Sequence, residues 1–170
     1  DYNKVEFAEY ISNMPPHIKL IGLERGAEFT FSLLEKVNDE CQRRMELFKQ
    51  VGVSDITEYK CKFGVRSLPR IILIIDEFHK MTQAIQNEPE YVLILENMLS
   101  EYRKFGLSCV FSDQAIGDGL RGLTEKGKKQ IRTRIAMAND MSEIRETLSI
   151  DSSFYDDALK NKINRMDKGD

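Results

Sequence analysis

The sequence predicts an α/β fold in which helices flank a largely parallel sheet, and three observations carry that prediction. Residues 71–75 read Ile-Ile-Leu-Ile-Ile, an aliphatic run without alternation, as expected of a central parallel strand buried on both faces. Phe29, Leu33, Leu34, Val37, Cys41, Met45 and Phe48 recur at steps that draw one apolar stripe along a helix, which Gly52 closes. Tyr91, Ile94, Leu95, Met98, Leu99 and Tyr102 draw a second stripe, closed by Gly106, before strand-like composition resumes over 107–112. Strand, helix, strand is the repeating unit of layered α/β folds.

The flanking segments follow the same logic. Pro15 and Pro16 break the chain, and residues 18–23 are predicted as a short strand. Residues 134–138 suggest a third strand, after which Asp140 with Glu143 three places on suits the cap of a helix through Leu148. Residues 117–129, rich in glycine and lysine, are expected to form a mobile loop. Asp1 to Phe7 start without a methionine and read as the interior of a folded element, so a piece cut from a longer protein is expected.

A length of 170 residues suffices for one hydrophobic core and makes a pair of ordinary domains unexpected. The formal net charge of −3 does not by itself imply a strongly polyanionic partner, so any nucleic-acid contact needs a local basic patch. Cys41, Cys61 and Cys109 are odd in number, far apart and without a CxxC pair. That pattern suggests neither a disulfide framework nor a zinc site and suits a reducing, cytoplasmic compartment. The longest apolar run is far shorter than a bilayer span, and no signal peptide opens the chain.

Chemistry is expected where the aliphatic strand ends, because Asp76 and Glu77 follow it at the carboxyl edge, where open α/β sheets bind ligands. In a P-loop ATPase the first acid of such a pair holds magnesium, directly or through water, and the second orients the attacking water. The bland alternative is a strand ending in solvated acids. Ser112-Asp113-Gln114 ends the next predicted strand, and a parallel sheet brings both ends to one edge. From there Gln114 would reach a γ-phosphate or the attacking water, or be an ordinary polar loop residue. His17 and His79 are isolated in sequence and are expected to be structural or surface residues.

Taken in order, these segments resemble the FtsK/SpoIIIE motor family. Residues 68–78, Leu-Pro-Arg-Ile-Ile-Leu-Ile-Ile-Asp-Glu-Phe, resemble its Walker B strand; residues 1–7 look like its Asp-Pro-Lys-Gly-Val-Glu-Leu strand. Arg43-Arg44 through Tyr59 resembles its Glu-x-x-Arg-Arg helix and the turn beyond, and residues 101–107 are similar to the segment before its sensor strand. Thr133-Arg134-Ile135 and the terminal Lys168-Gly169-Asp170 match as well. The departures are Tyr2 for proline, Asn3 for lysine, Asp113 where a threonine usually precedes the sensor glutamine, and the lack of a GxxxxGK[ST] phosphate loop.

The resemblance implies a RecA-like P-loop NTPase core, N-terminally truncated, with residues 1–170 forming part of one motor ATPase domain. Its cofactors would be ATP and Mg2+, with Asp76 as magnesium ligand and Glu77 and Gln114 as catalytic groups. A stabilising arginine, Arg134 or Arg121, would come from a neighbour in a homo-oligomeric, hexameric ring, and Lys126, Lys128 and Lys129 would contact nucleic acid or form a solvated loop. The expected function is movement of double-stranded DNA by a cytoplasmic domain whose parent protein is membrane-anchored. The alternatives are a coupling ATPase of secretion, conjugation or defence, or a degenerate scaffold. The isolated chain, lacking the phosphate loop, is expected to be monomeric and inactive.

Overall fold

The computed structural model describes residues 7–22, 27–114 and 116–136, together with Ile144, Thr147 and Leu148. A single helical turn, α1 (Glu9–Ser12), precedes the long helix α2 (Ala27–Val51) and the short helix α3 (Ile56–Phe63). Strand β1 (Ile71–Ile75) leads into α4 (Phe78–Ile85) and α5 (Pro89–Ser100). A 3-10 turn over Tyr102–Phe105 then feeds β2 (Leu107–Phe111), followed by α6 (Ile116–Arg121) and α7 (Glu125–Gln130).

Helix α2 forms because Leu34, Cys41 and Phe48, spaced one heptad apart, all lie buried on one face. It stops where Gly52 takes φ +70°, while Val53 N–H donates to the Phe48 carbonyl at 3.0 Å in a Schellman-type ending. Helix α3 starts on Asp55, whose carboxylate accepts from Thr57 N–H at 2.6 Å and Glu58 N–H at 2.9 Å. Helix α5 starts on Pro89, whose missing N–H costs nothing in a first turn.

The two strands pair in parallel, with Ile71 opposite Leu107 and Ile75 opposite Phe111. Leu73, Ile75 and Leu107 are buried with Leu34 and Cys41 of α2, Phe78, Met81 and Ile85 of α4, and Leu95 and Met98 of α5. Tyr91 of α5 stacks on Phe31 of α2 at 4.2 Å between centroids, and its hydroxyl donates to Glu35. Tyr102 donates to Asn38 and accepts from Gln42, both on α2.

Four expectations need correction. β1 is buried on one face only: Ile72 and Ile74 are 66% and 55% exposed, and Val110 beside them is 51% exposed. The aliphatic run was silent on this because β-branched residues suit a strand whether or not its second face is covered. Residues 18–22 form no strand among the described residues, their apolar members being interrupted by Lys19 and Gly22; Leu23 lies outside the described residues. Residues 117–129 are not a loop but hold α6 and α7, the latter capped by Thr124, whose hydroxyl accepts from Gly127 N–H at 3.2 Å. Residues 134–136 carry no strand, and 137–138 lie outside the described residues. The resemblance of residues 1–6, the cap at Asp140 and Glu143, and Lys168-Gly169-Asp170 also lie outside them.

The buried residue that the apolar stripe overlooks is Arg44, 3% exposed on the inner face of α2. Its Nε–H donates to Glu40 at 2.7 Å, and its Nη1 donates to the carbonyls of Pro69 and Phe105, each at 2.9 Å. Each carbonyl lies two residues before its strand, at Pro69 for Ile71 and at Phe105 for Leu107, so one guanidinium ties the approaches to both strands to α2. Gly106, at φ +92°, leaves room for it, since a Cβ there would lie 3.2 Å from Nη1.

Arg44→Ala takes the guanidinium donor from two carbonyls, while Glu40 keeps its bonds from Arg43. It is expected to cost about 1–3 kcal/mol of stability, read as a lower denaturant midpoint at unchanged slope; a loss below about 0.5 kcal/mol would mean the strands hold without it. A second expectation concerns acid. Hydrogen bonding from Arg43, opposed by burial and reinforced by Arg44, lowers the Glu40 carboxyl from 4.5 to about 2. A lowered folded pKa stabilises fully above 4.5 and loses that contribution as pH falls through about 2. The stability difference between wild type and Glu40→Gln should therefore be largest above pH 4.5 and shrink toward pH 2 in acid unfolding curves.

Candidate functional site at the carboxyl edge of the sheet

The parallel register places Asp76 and Ser112, each one residue beyond its strand, side by side. The Ser112 hydroxyl donates to Asp76 Oδ1, and Ser112 N–H donates to the Ile75 carbonyl at 2.9 Å, extending the ladder by one step. Asp76 keeps part of its surface in solvent. This is a hard-oxygen set, one carboxylate with a hydroxyl beside it. It suits a magnesium ion that takes most of its ligands from water and phosphate; no cluster of three or more acids, histidines or cysteines able to cage a metal exists among the described residues.

Glu77 is 9% exposed and adopts φ 51°, ψ 54°, the one non-glycine residue at positive φ among the described residues. The left-handed region costs a side-chain-bearing residue about 1–2 kcal/mol, and such strain concentrates at functional positions. Here it completes, with Asp76, the turn from Ile75 of β1 to Phe78 of α4, and its carboxylate pairs with Lys80 one helical turn on.

What holds that turn comes from β2. Glu77 caps α4 with no side-chain hydrogen bond, so the first amides of the helix need acceptors elsewhere. Phe78 N–H donates to the Ser112 carbonyl at 3.1 Å, and His79 N–H donates to Asp113 Oδ2 at 2.6 Å. The His79 ring adds a second bond, Nδ1–H to Asp113 Oδ1 at 2.7 Å, and the Asp113 side chain is 0% exposed. Phe78 stacks on Phe111 at 4.3 Å between centroids. His79 is thus not the isolated residue that the sequence suggested: its partner lies 34 residues away, on the neighbouring strand's end.

The remaining predicted residues are placed as follows. Gln114 is exposed two residues beyond Ser112, on the same edge. Arg121, at the end of α6, is 72% exposed and pairs with Asp118 at 2.8 Å. Arg134 donates to the carbonyls of Lys128 and Ile131, each at 3.0 Å, and to Thr147 at 3.4 Å, fastening the end of α7. Lys126 and Lys129 are exposed on α7, and Lys128 pairs with Glu125 at 2.7 Å. Residues 122–128 have the spacing of a phosphate loop, but Lys129 stands at the Ser/Thr position and α7 already begins at Glu125, so no strand–loop–helix cradle forms. A recess of about 540 Å³ between α4 and the α6–α7 turn includes Arg121 but none of Asp76, Glu77 or Gln114.

The chain is 30% identical over 148 residues to the DNA translocase FtsK of Streptococcus agalactiae, a match covering 81% of this chain and 17% of that protein. The FtsK of Streptococcus pneumoniae gives the same identity over the same length. The chain is of the FtsK/SpoIIIE type. The type VII secretion system protein EssC of Staphylococcus aureus is 28% identical over 108 residues, covering 63% of this chain and 7% of that protein. No family model and no solved structure matches the chain.

Within this FtsK/SpoIIIE-type chain, Ser112, Lys80, His79 and Asp113 are the residues of the edge that sequence reasoning did not assign. Lys80 was visible in principle, as a cation three places after Glu77 at the start of a helix. The His79–Asp113 pair was not, since only the strand register brings the two together.

Gly119 of α6 tests how tightly this corner is built. A Cβ there would lie 2.7 Å from the Phe78 ring, 3.1 Å from Asp113 Oδ2 and 3.3 Å from His79 N. Gly119→Ala should cost about 1–3 kcal/mol through overpacking, measured by thermal or denaturant unfolding. A neutral or stabilising result would show that α6 moves aside freely.

Proposed function

We propose that residues 1–170 are part of a RecA-like P-loop motor ATPase domain that couples ATP hydrolysis to movement of double-stranded DNA. The observation that carries the reading is the acid pair at the strand's carboxyl edge, with Glu77 held in a strained conformation and Asp76 hydrogen-bonded to Ser112. The similarity to DNA translocases supports the choice of substrate.

In this reading Asp76, with the Ser112 hydroxyl beside it, holds magnesium directly or through water. Magnesium bound with ATP would neutralise charge on the phosphates. Glu77 orients the attacking water as general base, and Gln114, solvent-exposed at the same edge, senses the nucleotide. A finger arginine comes from a neighbouring protomer of a hexameric ring. Arg121 suits that role better than Arg134, because its guanidinium stands in solvent with one surface ion pair whereas Arg134 is bonded to backbone carbonyls. Lys126 and Lys129, exposed on α7, with Lys128 beside them, are proposed to contact the nucleic-acid backbone.

A second reading, an ATPase that drives protein secretion, is favoured by the similarity to EssC. The chain spans under a fifth of the FtsK relatives and 7% of EssC. Stimulation of ATP turnover by duplex DNA selects the first reading, and its absence the second.

For the chemistry common to both, Glu77→Gln in the full-length protein should cut turnover by roughly 10²–10⁴-fold while nucleotide stays bound. Asp76→Ala should in addition weaken magnesium-dependent nucleotide binding. Near-normal turnover by Glu77→Gln would remove Glu77 from the water-orienting role.

A further inference from the structure

We propose that Asp113 acts through His79 as the positioning residue for Glu77, forming a clasp that locks the end of β2 to the first turn of α4. The inference rests on the ATPase reading for its kinetic consequence and on the geometry alone for the clasp itself. The Asp113 side chain is fully buried, yet lies next to Gln114 at the carboxyl edge of the sheet. A buried carboxylate is unfavourable unless it is hydrogen-bonded, and here both oxygens accept from one residue: Oδ2 from the His79 main chain and Oδ1 from its ring. Two bonds from the two halves of one residue fix the position and the rotation of the helix start together.

The residue so fixed lies two places after Glu77, whose left-handed conformation persists only if its surroundings over-determine it. The Phe78 amide on the Ser112 carbonyl supplies one anchor and the clasp supplies the next. Asp113 thus faces inward, while Gln114 remains exposed. An asparagine at 113 would keep the shape but offer one oxygen to two donors and set its own NH2 against an N–H. Removing the His79 ring would leave the main-chain bond and abolish the rotational hold.

The experiment uses the full-length protein with Asp113→Asn, His79→Ala and the double substitution. It measures kcat and KM for magnesium-ATP well below the unfolding temperature, together with the amide resonance of Glu77. The clasp predicts a fall in kcat on the order of 10–100-fold, with KM changed by less than about twofold because nucleotide binding does not depend on the aim of Glu77. The double variant should lose no more than the worse single one, since both remove one device. The Glu77 amide resonance should shift in all three. A lowered unfolding temperature with unchanged kcat per folded molecule and an unmoved Glu77 resonance would reduce the pair to a purely structural contact and overturn the proposal. If Glu77→Gln itself keeps wild-type turnover, the ATPase reading fails separately, and the clasp then stands or falls on the Glu77 resonance.

Discussion

The parallel register that sets Ile75 opposite Phe111 is the constraint from which the carboxyl edge follows. It brings residues 76 and 112 into hydrogen-bonding distance, carries residue 113 to the start of α4, and leaves residue 114 beyond the corner. A slip of one residue would turn every inward side chain of one strand outward, taking Leu73 and Ile75 out of the core as well as separating Asp76 from Ser112. Core and site therefore share one determinant. The burial that specifies the register for stability also specifies which polar side chains meet at the edge.

Both ends of this short sheet are closed by buried charges of opposite sign, and each sign matches the backbone groups it serves. Where the strands begin, the available groups are the carbonyls of Pro69 and Phe105, and the cation Arg44 donates to both. Where the strands end, a helix begins, its first amides need acceptors, and the anion Asp113 accepts. Glu40 beside Arg44 and His79 beside Asp113 complete the two pairs. A buried charge without such partners would be strongly destabilising, which makes each pair a strict geometric requirement on the loops it joins.

This also explains what was legible in the sequence. Helices α2 and α5 were readable because burial imposes a period on their apolar residues, β1 and β2 because of their apolar, β-branched composition, and the acid pair because it abuts such a strand. Helices α4, α6 and α7 were not. α4 opens on an acid pair that sequence logic assigns to chemistry, and glycines 117, 119 and 122 in and after α6 suggest a loop when isolated. The structure gives two of those glycines a packing reason: a Cβ at Gly119 would meet Phe78, and one at Gly122 would lie 2.6 Å from Thr82. Glycine marked close helix contact, not freedom. Arg44 escaped for the converse reason, since a charged residue on an apolar stripe is ordinarily assigned to its solvated margin.

Glu77 is where these constraints converge. Its carboxylate meets an ammonium from its own helix, its backbone sits in a conformation that few residues tolerate, and the two residues after it are tied to β2. A position required only to end a strand would relax into the ordinary helical or extended region, because a glutamate gains nothing from left-handed geometry. That it does not relax means the turn is imposed from outside, by the hydrogen bonds to residues 112 and 113. Those residues belong to the loop carrying Gln114, so a displacement of that loop is transmitted to the backbone at Glu77 through bonds rather than through bulk packing. The two loops at the carboxyl edge are thereby one mechanical unit, and the orientation of Glu77 is set by the strand beside it.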